Sequence, residues 1–142
     1  GEGAAAIAGG TGALEADLAW AESILGAVGT VVRVTESNLD AVTGLAGSGP
    51  AYLFLVAEAL IDGGVLAGLT RPTSEALVTQ LLVGSAALLR DRGNASELRA
   101  QVTSPGGTTA AGLKALEDHA VRAAFADAVV AATLRSQELG RQ

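Results

Sequence analysis

From Ala51 to about Leu66 the chain is apolar on nearly every side. Tyr52, Leu53, Phe54, Leu55, Val56, Leu60 and Ile61 do not fall on one helical face, and only Glu58 and Asp62 interrupt them. A helix of that kind must be covered all round, so the pattern predicts a central helix. Gly63, Gly64 and Gly68 loosen its end. Much of the apolar content, 49% of 142 residues, is alanine, and aromatics make up only 3%. Small side chains let helices approach closely but bury little area each. Such a chain gains core by pairing with a second copy of itself.

The rest of the chain falls into two parts. Ala4–Ala8 predicts a strand and Gly9-Gly10-Thr11-Gly12 a turn. Leu14 to Val28 predicts a helix, with Leu14, Leu18, Ala21, Ile24, Leu25 and Val28 recurring at three- and four-residue steps. Val31–Val34 is β-branched and reads as a second strand. This strand-helix-strand segment, residues 1–34, is too small to stand alone. From residue 35 to 142 the pattern is helical. A first helix capped by Thr35 or Ser37 reaches about Leu45, and Gly47–Pro50 breaks it. After the apolar helix come one from Arg71 to about Arg90, carrying Leu77, Leu81, Gly84 and Leu88 on one face, and a short one capped at Asn94. A helix from about Thr108 to Glu117 and a last one from Ala120 to about Leu139 complete the chain. In the last, Val121, Phe125, Ala128, Val129 and Ala132 point inward. The fold class is mostly α, after a short α/β remnant. The chain opens at Gly1 and contains no Met; a natural start after Met removal and a piece of a longer protein fit equally well, and Gly1-Glu2-Gly3-Ala4 reads more like the middle of a chain than its beginning.

Charge and composition exclude several function classes. The net charge of −6 argues against a nucleic-acid partner. With no Cys and a single His, neither thiolate chemistry nor a metal site is expected. The run Ala51–Ala57 is too short to span a bilayer, and no signal peptide is visible. The expectation is a cytoplasmic protein without a membrane partner.

Two segments could carry chemistry. In Ser104-Pro105-Gly106-Gly107-Thr108-Thr109, Pro105 fixes its own φ and the glycines leave backbone N–H groups open to close approach. Thr108 or Thr109 begins a helix, where unpaired amides and the helix dipole favour an anion such as a carboxylate. An ordinary inter-helix turn with a threonine cap fits the same residues, and spacing alone favours it. The second segment, Gly44-Leu45-Ala46-Gly47-Ser48-Gly49-Pro50, offers Gly47 and Gly49 around Ser48 for close approach of a cofactor or of a partner's backbone. It is not a dinucleotide fingerprint, because it follows a helix and not a strand. A tight helix–helix corner is the plainer reading. His119 sits beside Glu117 and Asp118 and reads as a solvated junction residue. No serine or threonine has a recognisable base partner. Binding groups without an evident acid or base suit chemistry carried by a cofactor.

Both segments lie in longer stretches that resemble one family. Leu39–Tyr52, followed by Glu58–Val65 and Gly68-Leu69, is similar to pyrroline-5-carboxylate reductase. Gln101–Thr109, then Leu116-Glu117 and Arg122–Ala124, resembles the signature near the family's C-terminus. The resemblance implies an NADPH- or NADH-dependent reduction of 1-pyrroline-5-carboxylate to proline. It implies an N-terminal Rossmann domain, of which residues 1–34 would be the tail. Residues 35–142 would form a helical dimerisation domain with interleaved helices, in homodimers that can assemble into decamers. Ser104, Gly106, Gly107, Thr108 and Thr109 would bind the substrate, with Thr109 at the ring nitrogen as the catalytic contact. Gly47, Ser48, Gly49 and Pro50 would lie near the nicotinamide. The chain departs from the family at His119, where glycine is usual, and at Ala46, where serine is common. It also lacks the GxGxxG turn, so the nicotinamide cofactor would be bound mainly by a domain outside it, and the isolated chain is expected to be inactive. The alternatives are a stand-alone helical interaction module and another imine or 3-hydroxyacid reductase with a helical dimer domain.

Overall fold

The computed structural model describes residues 1–141. The chain divides into two compact units, Gly1–Pro50 with the stretch from Ala124 onward, and Ala51–Ala123.

In the first unit, β1 (Gly3–Ile7) pairs in parallel with β2 (Gly29–Arg33), Gly3 opposite Gly29 and Ile7 opposite Arg33. The crossover is α1 (Glu15–Gly26), which packs on both strands through half-buried Leu18, Ala21 and Leu25. Asp17 starts this helix by accepting the Leu14 N–H at 2.8 Å. Arg33, at the end of β2, grips Glu22 at 2.6 Å and Glu15 at 2.5 Å. The paired guanidinium lowers the Glu22 carboxyl below its ordinary range. The clamp therefore favours the folded form at neutral pH and is lost as acid protonates Glu22.

The predicted break at Gly47–Pro50 is not there. A 3₁₀ turn at Glu36–Asn38 leads into α2 (Leu39–Val42) and then a π-helical turn over Thr43–Gly47. Ser48 keeps helical angles, φ −86° and ψ −20°, and α3 (Gly49–Leu66) begins at the next residue. Pro50 fits because it falls in the first turn of α3, where its missing N–H costs no helical bond. Gly63 and Gly64 also stay helical, and the chain leaves α3 only at Gly68, φ +102°. The helical run Glu36–Leu66 is therefore 31 residues long, with a window of mean hydropathy 1.4. By length and composition alone it could cross a bilayer, contrary to the reading from Ala51–Ala57. A helix covered by another protein chain has the same signature.

In the second unit, α4 (Arg71–Arg92) starts at Thr70, whose Oγ1 accepts the Thr73 N–H at 3.3 Å. Then follow α5 (Ala95–Gln101), capped by Asn94, and α6 (Thr108–Asp118). Next comes α7 (Val121–Leu139), whose greater part belongs to the first unit. Ala120, at φ +53°, turns the chain between α6 and α7. The packed face of α4 is Ser74, Val78 and Leu82, while the predicted stripe of Leu77, Leu81 and Leu88 is exposed.

The apolar helices are not covered by their own chain. Val78 is the only buried apolar side chain among the described residues, and Leu53, Phe54 and Leu55 on α3 are each about 60% exposed or more. The accessible surface is 10174 Å². A compact monomer of this mass exposes about 6,700 Å², and two separate compact bodies sharing the mass about 8,000 Å². The excess therefore does not depend on how the two units lie.

Where α3 meets α4, the contact is close. A Cβ at Gly64 would lie 2.6 Å from Ser74 Oγ and 3.2 Å from Ser74 Cβ. Ser74 Oγ is buried and has no hydrogen-bond partner in the chain. Gly64→Ala is expected to destabilise the protein by about 1–3 kcal/mol, the range for overpacking. Ser74→Ala should stabilise it, because a buried unpaired hydroxyl costs about 1–3 kcal/mol. Denaturant unfolding of both single variants and the double variant checks this, with the double recovering most of the Gly64→Ala loss.

Candidate functional site: a turn that opens α6

The Ser104–Thr109 segment folds as a tight turn. Ser104 C=O accepts the Gly107 N–H at 3.0 Å, with Pro105 and Gly106 between them and Gly106 at φ +69°. Proline first and a positive-φ glycine second is the type II arrangement. Gly107 is the N-cap of α6, at φ −78° and ψ 172°. A Cβ on Gly107 would collide with Ser104 Oγ and lie 3.2 Å from Ser104 O. Each glycine is therefore required, Gly106 by its conformation and Gly107 by the fold of the serine over it.

The threonine cap that an ordinary turn would need is absent. No side chain caps α6, whose first backbone bond is from Ala111 N–H to Gly107 O at 3.2 Å. The amides of Thr108, Thr109 and Ala110 are left as the open donors of the first turn. By contrast α1, α4 and α5 each engage a side chain at their start. The Gly107 amide, expected to be open, is used inside the turn. The exposed hydroxyls of Thr108 and Thr109 stand beside these donors, and no acidic residue occupies the first turn. The turn thus presents convergent N–H groups, the positive end of a helix dipole and two hydroxyls, a set suited to a carboxylate.

The other predicted residues lie in the first unit. A Cβ at Gly49 would meet nothing within 4 Å, and one at Gly47 only Thr43 Cγ2 at 3.7 Å. Ser48 donates its N–H to Thr43 O at 2.9 Å, closing the π turn. The glycine that the fold does require here is Gly44, which the sequence did not single out; a Cβ there would run into α7 at Thr133 and Val129. No spacing rule reveals it, because the neighbour is about ninety residues away in sequence. His119 ends α6, its N–H donating to Ala115 O at 3.2 Å, and is exposed at the end opposite the turn.

Fold and turn together define a helical domain that offers backbone amides to a small anion. The chain belongs to the pyrroline-5-carboxylate reductase family: the family model for pyrroline-5-carboxylate reductase dimerisation matches residues 36–139. Among curated relatives, the pyrroline-5-carboxylate reductase of Methanosarcina acetivorans is 48% identical over 142 residues, which is 99% of this chain and 53% of the relative. That of Arabidopsis thaliana is 49% identical over 142 residues, 99% of this chain and 51% of the relative. The solved pyrroline-5-carboxylate reductase of Coxiella burnetii matches with a TM-score of 0.90 and 38% identity, over 95% of this chain and 51% of that one. The pyrroline carboxylate reductase of Plasmodium falciparum, solved with NADP bound, matches with a TM-score of 0.84 and 32% identity, over 95% of this chain and 56% of that one. The chain spans about half the length of the curated relatives it matches.

Gly107→Ala is expected to break the turn while leaving α4 and α3 in place. Amide exchange at position 107 and at Ala111, the two bonded amides of the turn, should quicken, with no comparable change at Val78. Unchanged exchange at Ala111 would show that the serine can move aside.

Proposed function

We propose that the chain is the C-terminal, helical part of a reductase that converts 1-pyrroline-5-carboxylate to L-proline with NADPH or NADH. In this reading residues 1–34 are the tail of the nucleotide-binding domain and 35–142 the dimerisation and substrate-binding domain. The observation that carries it is the uncapped start of α6 behind a turn in which two glycines are obligatory. The substrate has one carboxylate next to an imine nitrogen, and the turn offers amides next to hydroxyls. The amides of Thr108, Thr109 and Ala110, with Gly106 in the turn, hold the carboxylate. Ser104 keeps Gly107 in place beneath them. The Thr109 hydroxyl orients the ring nitrogen. This fixes the ring so that one face of its C=N bond is presented, which is a gain in orientation and not an acid–base step.

The segment Gly47–Pro50 fits a bound nicotinamide. Gly47 and Gly49 carry no side chain that would keep a flat ring away; a Cβ at Gly49 would meet nothing within 4 Å and one at Gly47 only Thr43 Cγ2 at 3.7 Å. When bound, the cofactor supplies the hydride that the imine carbon accepts. The NADP-bound state of one solved relative supports this class of cofactor. The exposed apolar faces of α3, α4 and α7 support a homodimer in which helices of two chains cover one another.

Three measurements test this reading. Thr109→Ala in the whole reductase should lower kcat/KM about tenfold or more, the loss of one hydrogen bond worth about 1–3 kcal/mol; an unchanged value removes Thr109 from the site. The 142-residue chain alone should not oxidise NADPH in the presence of pyrroline-5-carboxylate, and appreciable turnover would place the whole machinery within it. The same chain should sediment as a dimer at micromolar concentration, and a monomer would leave its apolar faces unexplained.

A further inference from the structure

We infer that the π turn at Thr43–Gly47 is a phasing device, in which Gly44 seated against α7 sets the rotation at which Gly47, Ser48 and Gly49 face the nicotinamide end of the cofactor. The inference rests on the proposed role of residues 47–50. The Ser48 N–H reaches back five residues to Thr43 O, so this turn holds one residue more than an α-helical turn. An extra residue advances everything after it by one residue's rotation, about 100°. The face that α3 presents at its start is thus decided in this turn.

A π turn is a costly conformation and persists only where the surroundings impose it. Here α7 imposes it. Gly44 is buried, and a Cβ on it would lie 2.5 Å from Thr133 Oγ1, 2.7 Å from Val129 O and 2.9 Å from Thr133 N. Two of those three atoms are backbone and cannot rotate away. One turn further along α7, Ser136 Oγ donates to Asp40 Oδ1 at 2.6 Å, with both residues half-buried. The same helix therefore fastens α2 before the π turn and Gly44 within it. The other side of the turn supplies no such seat. There Leu45 and Ala46 border an apolar hollow of about 150 Å³ shared with Ala4, Ala5, Ala6, Thr30 and Val32. With space on the sheet side and backbone contact on the α7 side, α7 sets the register.

The nicotinamide end should feel a change in this seat, and the adenosine end should not. Titration calorimetry of the whole reductase with NADPH, and separately with adenosine 2′,5′-bisphosphate, reads the two ends apart. Gly44→Ala should weaken NADPH binding about tenfold and Ser136→Ala roughly threefold, with the bisphosphate unchanged in both and the sedimenting species still a dimer. Gly49→Ala is the control for the underlying reading. It adds a methyl where the chain has open space, so it should fold normally and weaken NADPH alone. If Gly49→Ala leaves NADPH binding unchanged, the placement of residues 47–50 fails and the inference with it. If Gly49→Ala weakens NADPH but Gly44→Ala and Ser136→Ala do not, the phasing role fails and the placement stands. An equal loss of both ligands in Gly44→Ala and Ser136→Ala means general loosening and also overturns it. Should Gly44→Ala not fold, Ser136→Ala decides alone.

Discussion

The apolar surface that one chain leaves bare is the constraint on which the rest of this structure depends. Helix α3 carries Leu53, Phe54 and Leu55 largely exposed, and α4 turns Ser74 and Val78 inward while its leucine stripe faces out. At about 25 cal/mol per Å² of apolar area, burying even half of an excess of roughly two to three thousand Å² would outweigh the whole stability of an ordinary domain. A chain with this composition cannot leave that area wet. The contacts it does make internally are correspondingly close, glycine on serine at Gly64–Ser74 and glycine on threonine at Gly44–Thr133. Those contacts set helix positions, and the bulk of apolar burial is left to another surface.

The turn at the start of α6 shows how a site can be built without charged side chains. The groups available to an anion are amides and hydroxyls, held by a type II turn and by a serine folded over a glycine. Backbone donors do not titrate and carry no side-chain entropy to lose on binding. In the proposed role they would let a chain of net charge −6 hold a carboxylate locally. The helix dipole supplies the sign that the overall charge does not.

Most of the secondary structure was legible in the sequence, because it rests on periodicity. The strand-helix-strand start, α4, α5, α6 and α7 follow from apolar spacing and from the cap at Asn94. The segment Gly47–Pro50 was misread as a break, and the role of Gly44 just before it was missed. The glycines look like a break, yet Gly44 is there because Thr133 comes close, and the π turn carries the helix through. Information of that kind belongs to a distant part of the chain and leaves no local mark. The same holds for the inward face of α4, since Leu77–Leu88 is the more apolar stripe and is the one left exposed. The turn at Ser104–Thr109 was legible as a turn with an anion option. What spacing could not decide was the cap, and the structure shows no side chain there, which leaves the first amides of α6 open.

The glycines carry this distinction further. A helix-interior glycine costs roughly 0.5–1 kcal/mol relative to alanine, so each one without an internal reason calls for an external one. Gly44 and Gly64 have internal reasons, in Thr133 and Ser74, and Gly107, at the N-cap of α6, has one in Ser104. Gly63, Gly84 and Gly112 lie within helices, and a Cβ at any of them would meet nothing in the chain. Gly49 is equally open. The first three lie on helices that also carry exposed apolar side chains, where a second backbone can come close only if no Cβ intervenes, and that fits the proposed homodimer. Gly49 lies instead where the π turn ends and α3 begins, the position proposed to face the nicotinamide. One physical rule, that a costly glycine marks a close approach, thus sorts the same residue type into contacts made by the chain and contacts proposed for a second copy and for a cofactor.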